Sequence, residues 1–151
     1  MKEGKTILLV EDEALIAMDE AAMLQKNGYT VETAYNAKKA IAKARDESID
    51  LVLMDIDLGN GKMDGTEAAE DILKHREVPI VFLTSHAEKE MVEKVKGITR
   101  YGYVLKNAGE FVFLESISMA FELFEAYQKE KKATARLKKK KKKNRKIRED
   151  L

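Results

Sequence analysis

Residues 51–60 read LVLMDIDLGN: four apolar residues run into a carboxylate, Asp55, and a second, Asp57, follows two places on. An apolar run without alternation suits a strand buried on both faces, as in a parallel sheet covered by helices. Such a strand ending in acid puts that acid at the rim of a core. Similar runs recur at 6–10 (TILLV), 79–83 (PIVFL) and 101–105 (YGYVL), with a weaker one at 30–35 (TVETAY) that suits a sheet edge. Between them, helical periodicity marks residues 13–27, 37–46, 65–75, 87–97 and 110–127. Asn27-Gly28 is a helix stop, Gly65 opens a helix, and Pro79 begins a strand where a missing N–H is tolerated.

Strands alternating with helices predict an α/β fold: a doubly wound, five-stranded parallel sheet with helices on both faces and an extended C-terminal helix. The layer is flavodoxin-like, with 2-1-3-4-5 as the usual strand order. In an open parallel sheet the carboxyl ends of all strands share one edge, where ligands bind. Glu11 and Asp12 follow the first strand, Asp55 ends the third, Thr84 the fourth and Lys106 the fifth. The fold therefore gathers them at one rim.

Three carboxylates held together repel one another unless a cation joins them. With oxygen ligands only and neither His nor Cys among these residues, Mg²⁺ is the expected cofactor, keeping places open for phosphate oxygens. Lys106 offers a point charge for a phosphoryl oxygen and Thr84 a hydroxyl donor. A carboxylate in that company can act as the nucleophile of phosphoryl transfer, and Asp55, on the central strand, is the best candidate. Singly, each residue has an ordinary reading: Glu11 and Asp12 as helix-dipole partners, Asp55 as a loop cap, Thr84 as a β-former, Lys106 as a solvated cation. Tyr103 alone reads as core. Only their conjunction at one rim is uncommon.

Composition narrows the class. The chain has 151 residues, no cysteine and one proline. Disulfides and thiolate metal sites are thus excluded. The longest N-terminal apolar run, Ile7–Val10, is too short for a signal segment, and no run reaches a membrane span, so a cytoplasmic protein is expected. The net charge of +1 conceals an asymmetry. Residues 128–151 hold 13 Lys and Arg against 3 Asp and Glu, leaving 1–127 with a net charge of −9. Two units are predicted: a folded domain at 1–127, and a basic helical tail or linker at 128–151.

The pieces ILLVEDE (7–13), LVLMDIDL (51–58), MDG (63–65), PIVFLTSH (79–86) and GYVLK (102–106) resemble, in order and spacing, the receiver domain of two-component response regulators. The resemblance covers about residues 4–127. It implies that Asp55 takes a phosphoryl group from a histidine kinase or phosphotransfer protein. Glu11, Asp12, Asp55 and the backbone carbonyl of Asp57 would bind Mg²⁺. Thr84 and Lys106 would grip the phosphoryl oxygens, and Tyr103 would turn inward as Thr84 moves, switching the face of the fourth helix, fifth strand and fifth helix. Asp57 and His86, two after the acceptor and two after Thr84, would tune phosphoryl lifetime. Enzymatic activity would be limited to self-phosphorylation and autodephosphorylation. The chain departs from the pattern in its longer DIDLGNGKM loop and in Asn107, where the family generally has proline.

A rival reading is a haloacid-dehalogenase-like phosphohydrolase using Asp55 and Asp57. That family needs an acidic pair after the lysine, whereas here the pair precedes the motif, at 11–12. For the tail, a solvated helix competes with a linker into a covalent downstream domain and with a basic-tailed nucleic-acid-binding module. Leu123, Leu137 and Leu151 fall at heptad spacing, but Glu130, Lys140 and Asn144 interrupt the seam. With no interleaved aromatics and no following recognition helix, the sequence argues against nucleic acid. A homodimer through the fourth helix, fifth strand and fifth helix is the expected self-association.

Overall fold

The computed structural model describes residues 4–59, 63–85 and 88–150. Strands β1 (Thr6–Val10), β2 (Thr30–Ala34), β3 (Leu51–Asp55), β4 (Ile80–Thr84) and β5 (Tyr103–Leu105) alternate with helices α1 (Ala14–Lys26), α2 (Ala37–Ala44), α3 (Gly65–His75), α4 (Lys89–Ile98) and α5 (Glu110–Glu149). The sheet is parallel throughout, in the order β2-β1-β3-β4-β5.

Side-chain alternation explains why the central strands read as unbroken apolar runs. Leu8, Val10, Val52, Met54, Ile80 and Phe82 face one side, where they pack with Ala40 of α2, Ala68 and Ile72 of α3, and Val95 of α4. Their neighbours Ile7, Leu9, Leu51, Leu53, Val81, Leu83 and Val104 face the other, against Ala17 and Leu24 of α1 and Phe113, Ile117 and Ala120 of α5. Both faces are dry, so both parities must be apolar. Each fully buried aliphatic side chain contributes about 1.5–3 kcal/mol. β2 lies at the edge and alternates exposure, as its weaker sequence signal suggests.

Most elements lie within a residue or two of the sequence reading. Asp55 ends β3 as expected, paired in register with Leu83. β5 starts at Tyr103, because Gly102 has φ +82°, which breaks the extended run. α5 continues past Tyr127 to Glu149, 40 residues in all. Helix-forming residues carry it on after the apolar stripe ends, since Lys, Arg, Glu and Ala all have high helical propensity.

Local signals fix the ends that matter for the site. Asp64 caps α3 in a capping box: its carboxylate accepts from Glu67 N, and the Glu67 side chain accepts from Asp64 N. The α2–β3 turn is stitched by the Arg76 guanidinium, which donates to the carbonyls of Ala44, Asp46 and Ile49 at 3.0, 2.7 and 3.0 Å.

Candidate functional site

The register that builds the core also aims the polar residues. Glu11 continues the parity of Ile7 and Leu9, Asp55 that of Leu51 and Leu53, and Lys106 that of Val104. All three leave the sheet toward the α1/α5 side and meet at its carboxyl edge. Lys106 Nζ donates to Asp55 Oδ2 at 2.8 Å and to Glu11 Oε2 at 3.1 Å. Both carboxylates are essentially inaccessible, while the lysine side chain keeps 21% of its exposure. β4 and β5 are tied beside them by Lys106 N donating to Thr84 O at 2.9 Å.

Asp12 joins from the open side. Its Oδ2 accepts from Gly59 N at 2.9 Å, which brings the loop after β3 over the acidic group. Glu11, Asp12 and Asp55 each present a carboxylate oxygen within 4.8 Å of the others. The Asp55 carboxylate is held from both ends: Oδ1 accepts from Asp57 N at 2.9 Å while Oδ2 takes Lys106. Asp57 thus reaches the Asp55 carboxylate through its backbone N–H.

Electrostatics mark this cluster as short of positive charge. Burial, with Asp55 alongside, pushes the Glu11 carboxyl up to about 7, although Lys106 pulls the other way. Partial burial works against the Lys106 charge, but hydrogen bonds and attraction from Asp55 and Glu11 prevail and hold the ammonium above its usual value. One cation thus stands against three carboxylates. A hard dication would complete the balance, and three oxygen donors at this spacing suit one.

Thr84 ends β4 and is buried. By strand alternation it follows Ile80 and Phe82 toward the α3/α4 side, the same side on which half-buried Tyr103 packs. The two residues expected to switch therefore share a face, one strand apart. His86 lies outside the described residues, as does the stretch 60–62 of the loop after β3.

Three site features were not singled out from the sequence as parts of the site. Gly59 supplies the N–H that holds Asp12. Gly65 packs directly on the end of β3: a Cβ there would lie 2.0 Å from the Asp55 carbonyl oxygen. Its place in MDG was legible, its reason was not. Glu20 of α1 has a buried carboxylate oxygen, Oε1, with no hydrogen-bond partner among the described residues. Burial pushes its carboxyl up to about 7; the Lys106 charge lowers it, while Asp55 and Asp19 raise it. No local sequence pattern announces Glu20.

Comparisons with known proteins agree with this geometry. The family model described as the response regulator receiver domain matches residues 7–118. The transcriptional regulatory protein PdtaR of Mycobacterium tuberculosis is 34% identical over 121 residues, covering 80% of this chain and 58% of its own length. This chain thus spans little more than half of that curated relative. Among solved structures, the N-terminal domain of a response regulator/sensory box/GGDEF three-domain protein from Carboxydothermus hydrogenoformans is 46% identical. It superposes with a TM-score of 0.74, covering 82% of this chain and 98% of that one. A CheY-like receiver domain protein from Methanospirillum hungatei is 30% identical with a TM-score of 0.73, again covering 82% and 98%. The phosphohydrolase alternative gains no support from any of them. The fold, the rim of acids around one lysine and the matched family together place this chain in the response regulator receiver family.

Proposed function

We propose that the chain is a phosphorylation-controlled switch in which Asp55 accepts a phosphoryl group from a histidine kinase or phosphotransfer protein. The observation that carries this reading is the Asp55 carboxylate, buried at a strand end yet gripped by Lys106 and facing Glu11 and Asp12. In the transfer, an Asp55 oxygen attacks phosphorus and the bond from phosphorus to the donor nitrogen breaks, leaving an aspartyl phosphate. Lys106 neutralises charge on the phosphoryl oxygens, and Thr84 donates its hydroxyl to one of them. Glu11, Asp12, Asp55 and the Asp57 carbonyl would hold Mg²⁺, which supplies further charge neutralisation when bound. Asp57 and His86, two after the acceptor and two after Thr84 in sequence, would set how long the phosphoryl group survives.

The output follows from the shared side of Thr84 and Tyr103. A phosphoryl group adds charge and acceptor oxygens that Thr84 and Lys106 satisfy together in one arrangement of β4, α4 and β5. Movement of Thr84 toward the phosphate frees room for the Tyr103 ring to turn inward, altering the α4–β5–α5 surface that partners or a second copy would meet. Residues 1–127 form the receiver unit and 128–151 a tail attached to it. Catalysis is confined to the chain's own phosphorylation and dephosphorylation, in the cytoplasm where its kinase acts.

Intact mass after incubation with acetyl phosphate and Mg²⁺ tests the core of this. One added phosphoryl mass is expected on the wild type and none on Asp55→Ala. Labelling of the variant to the same extent would place the acceptor elsewhere.

A further inference from the structure

The basic tail, read from the sequence as a solvated helix, a linker or a nucleic-acid-binding segment, is the distal part of α5. α5 descends along the sheet from the rim at Gly109 and passes Glu77, which precedes β4 at the opposite edge. There Gln128 Nε2 donates to Glu77 Oε2 at 2.8 Å, Lys131 pairs with Glu77, and the Arg100 guanidinium stacks 3.9 Å over the Tyr127 ring. Beyond this clamp the helix runs free. Residues 129–150 are all exposed, and past Lys131 no tail cation forms an ion pair among the described residues. Residues 128–150 would project about 35 Å at 1.5 Å per residue.

Charge distribution decides what can cover this projection. Residues 138–148 contain nine Lys and Arg, of which Lys138–Lys143 are consecutive. Six consecutive helical positions sweep more than a full turn, so positive charge surrounds the axis. An anionic membrane would attract these lysines by charge alone, but it meets one side of a helix, and the large exposed apolar residues, Leu137 and Ile147, ten positions apart, form no stripe to insert. A second copy in a coiled coil would bring Arg136 against Lys141, and Lys143 against Arg148, across the seam, like charge on like. Single strands bind by stacking on aromatics, which the sequence lacks after Tyr127. What remains is a partner with anions on both flanks of a helix. The major groove of B-form DNA is about 12 Å wide and lined by phosphates at one charge per about 1.7 Å of axis. Nine cations over 11 residues give one per about 1.8 Å.

We propose that the α5 extension is a duplex-DNA-binding arm, held away from the acidic body by the Glu77 clamp and reading phosphates rather than base sequence. Neighbouring lysines repel at i,i+4 in the free helix, and phosphates relieve that repulsion. This inference stands independently of the phosphoacceptor reading.

The test is fluorescence anisotropy of the full chain with a labelled 25-base-pair duplex, the corresponding single strand, and anionic phosphatidylserine vesicles, across a salt series. Duplex binding is expected, tighter than to the single strand and insensitive to sequence. Changing Lys138 through Lys143 to Gln should weaken it more than tenfold at low salt and cut the log–log salt slope by about 5, at about 0.9 per phosphate. Leu137→Pro keeps every charge while breaking the helix, and it should weaken duplex binding several-fold. Unchanged thermal midpoints of the body show that both variants remain folded. Preference for vesicles or single strands, or duplex affinity unaffected by the six glutamines, would overturn the proposal, and full affinity in Leu137→Pro would overturn the helical arm.

Discussion

At the scale of single residues, the site combines buried acids with too little positive charge, and that has a thermodynamic sign. Glu11 and Glu20 are both pushed up to about 7, chiefly by burial. Between pH 4.5 and 7 the native state therefore holds protons that the unfolded chain has released, and stability falls as pH rises through that window. The metal-free protein should be less stable at pH 8 than at pH 5 by about 2 kcal/mol for each of these two carboxyls. Mg²⁺ should recover more of the thermal midpoint at pH 8 than at pH 5. Unfolding scans with Mg²⁺ or a chelator check this, and Glu11→Gln should flatten the pH dependence and shrink the Mg²⁺ effect. Gly65 supplies a steric counterpart. An added Cβ would sit 2.0 Å from the Asp55 carbonyl oxygen and 2.9 Å from the Ile56 Cα. Backbone cannot yield as a side-chain end would, so Gly65→Ala should cost about 3 kcal/mol in denaturant unfolding and lower phosphoryl incorporation.

At the scale of elements, the site depends on where helices begin and how strands end. α3 starts against the end of β3, where Asp64 closes a capping box with Glu67, reinforced by Thr66 Oγ1 donating to Asp64 at 2.6 Å. Those bonds hold the Asp64 carboxyl below its usual range even though burial opposes them. Asp64→Ala should destabilise by about 1–2 kcal/mol, the size of a lost cap, as read from chemical denaturation. A shift near zero would mean that neither the cap nor the Asp64 Oδ2 ion pair with Lys94 Nζ at 3.9 Å carries anything. Strand alternation sorts the functional residues into two sets: Glu11, Asp55 and Lys106 on the α1/α5 side, Thr84 and Tyr103 on the α3/α4 side. The acid–lysine cluster and the Thr84–Tyr103 pair thus occupy opposite sides of one sheet edge.

At the scale of the whole molecule, body and tail obey different physics. The body is held by two dry layers, whereas residues 129–150 of the tail are exposed, with the Glu77 clamp as the attachment. Exposed ion pairs contribute little, so deleting residues 128–151 should leave unfolding stability within about 1 kcal/mol. A larger loss would merge the two units into one. Much of this was legible from the chain. Apolar runs at 6–10, 51–54 and 79–83 declared a parallel sheet because burial on both faces removes alternation. Motif order placed the five polar rim residues for the same reason: parallel strands put all their carboxyl ends on one edge. Propensity carried α5 beyond Tyr127, but the sequence alone left open whether that segment was frayed, because a helix without a packing face has only weak local preferences behind it. Contact and solvation across distant segments were decided by the tertiary structure. The Gly65 approach to Asp55, the Gly59 hold on Asp12, the buried oxygen of Glu20 and the Glu77 clamp all join residues with no pattern between them in sequence. Periodicity encodes which way a side chain faces; only packing sets what it meets there.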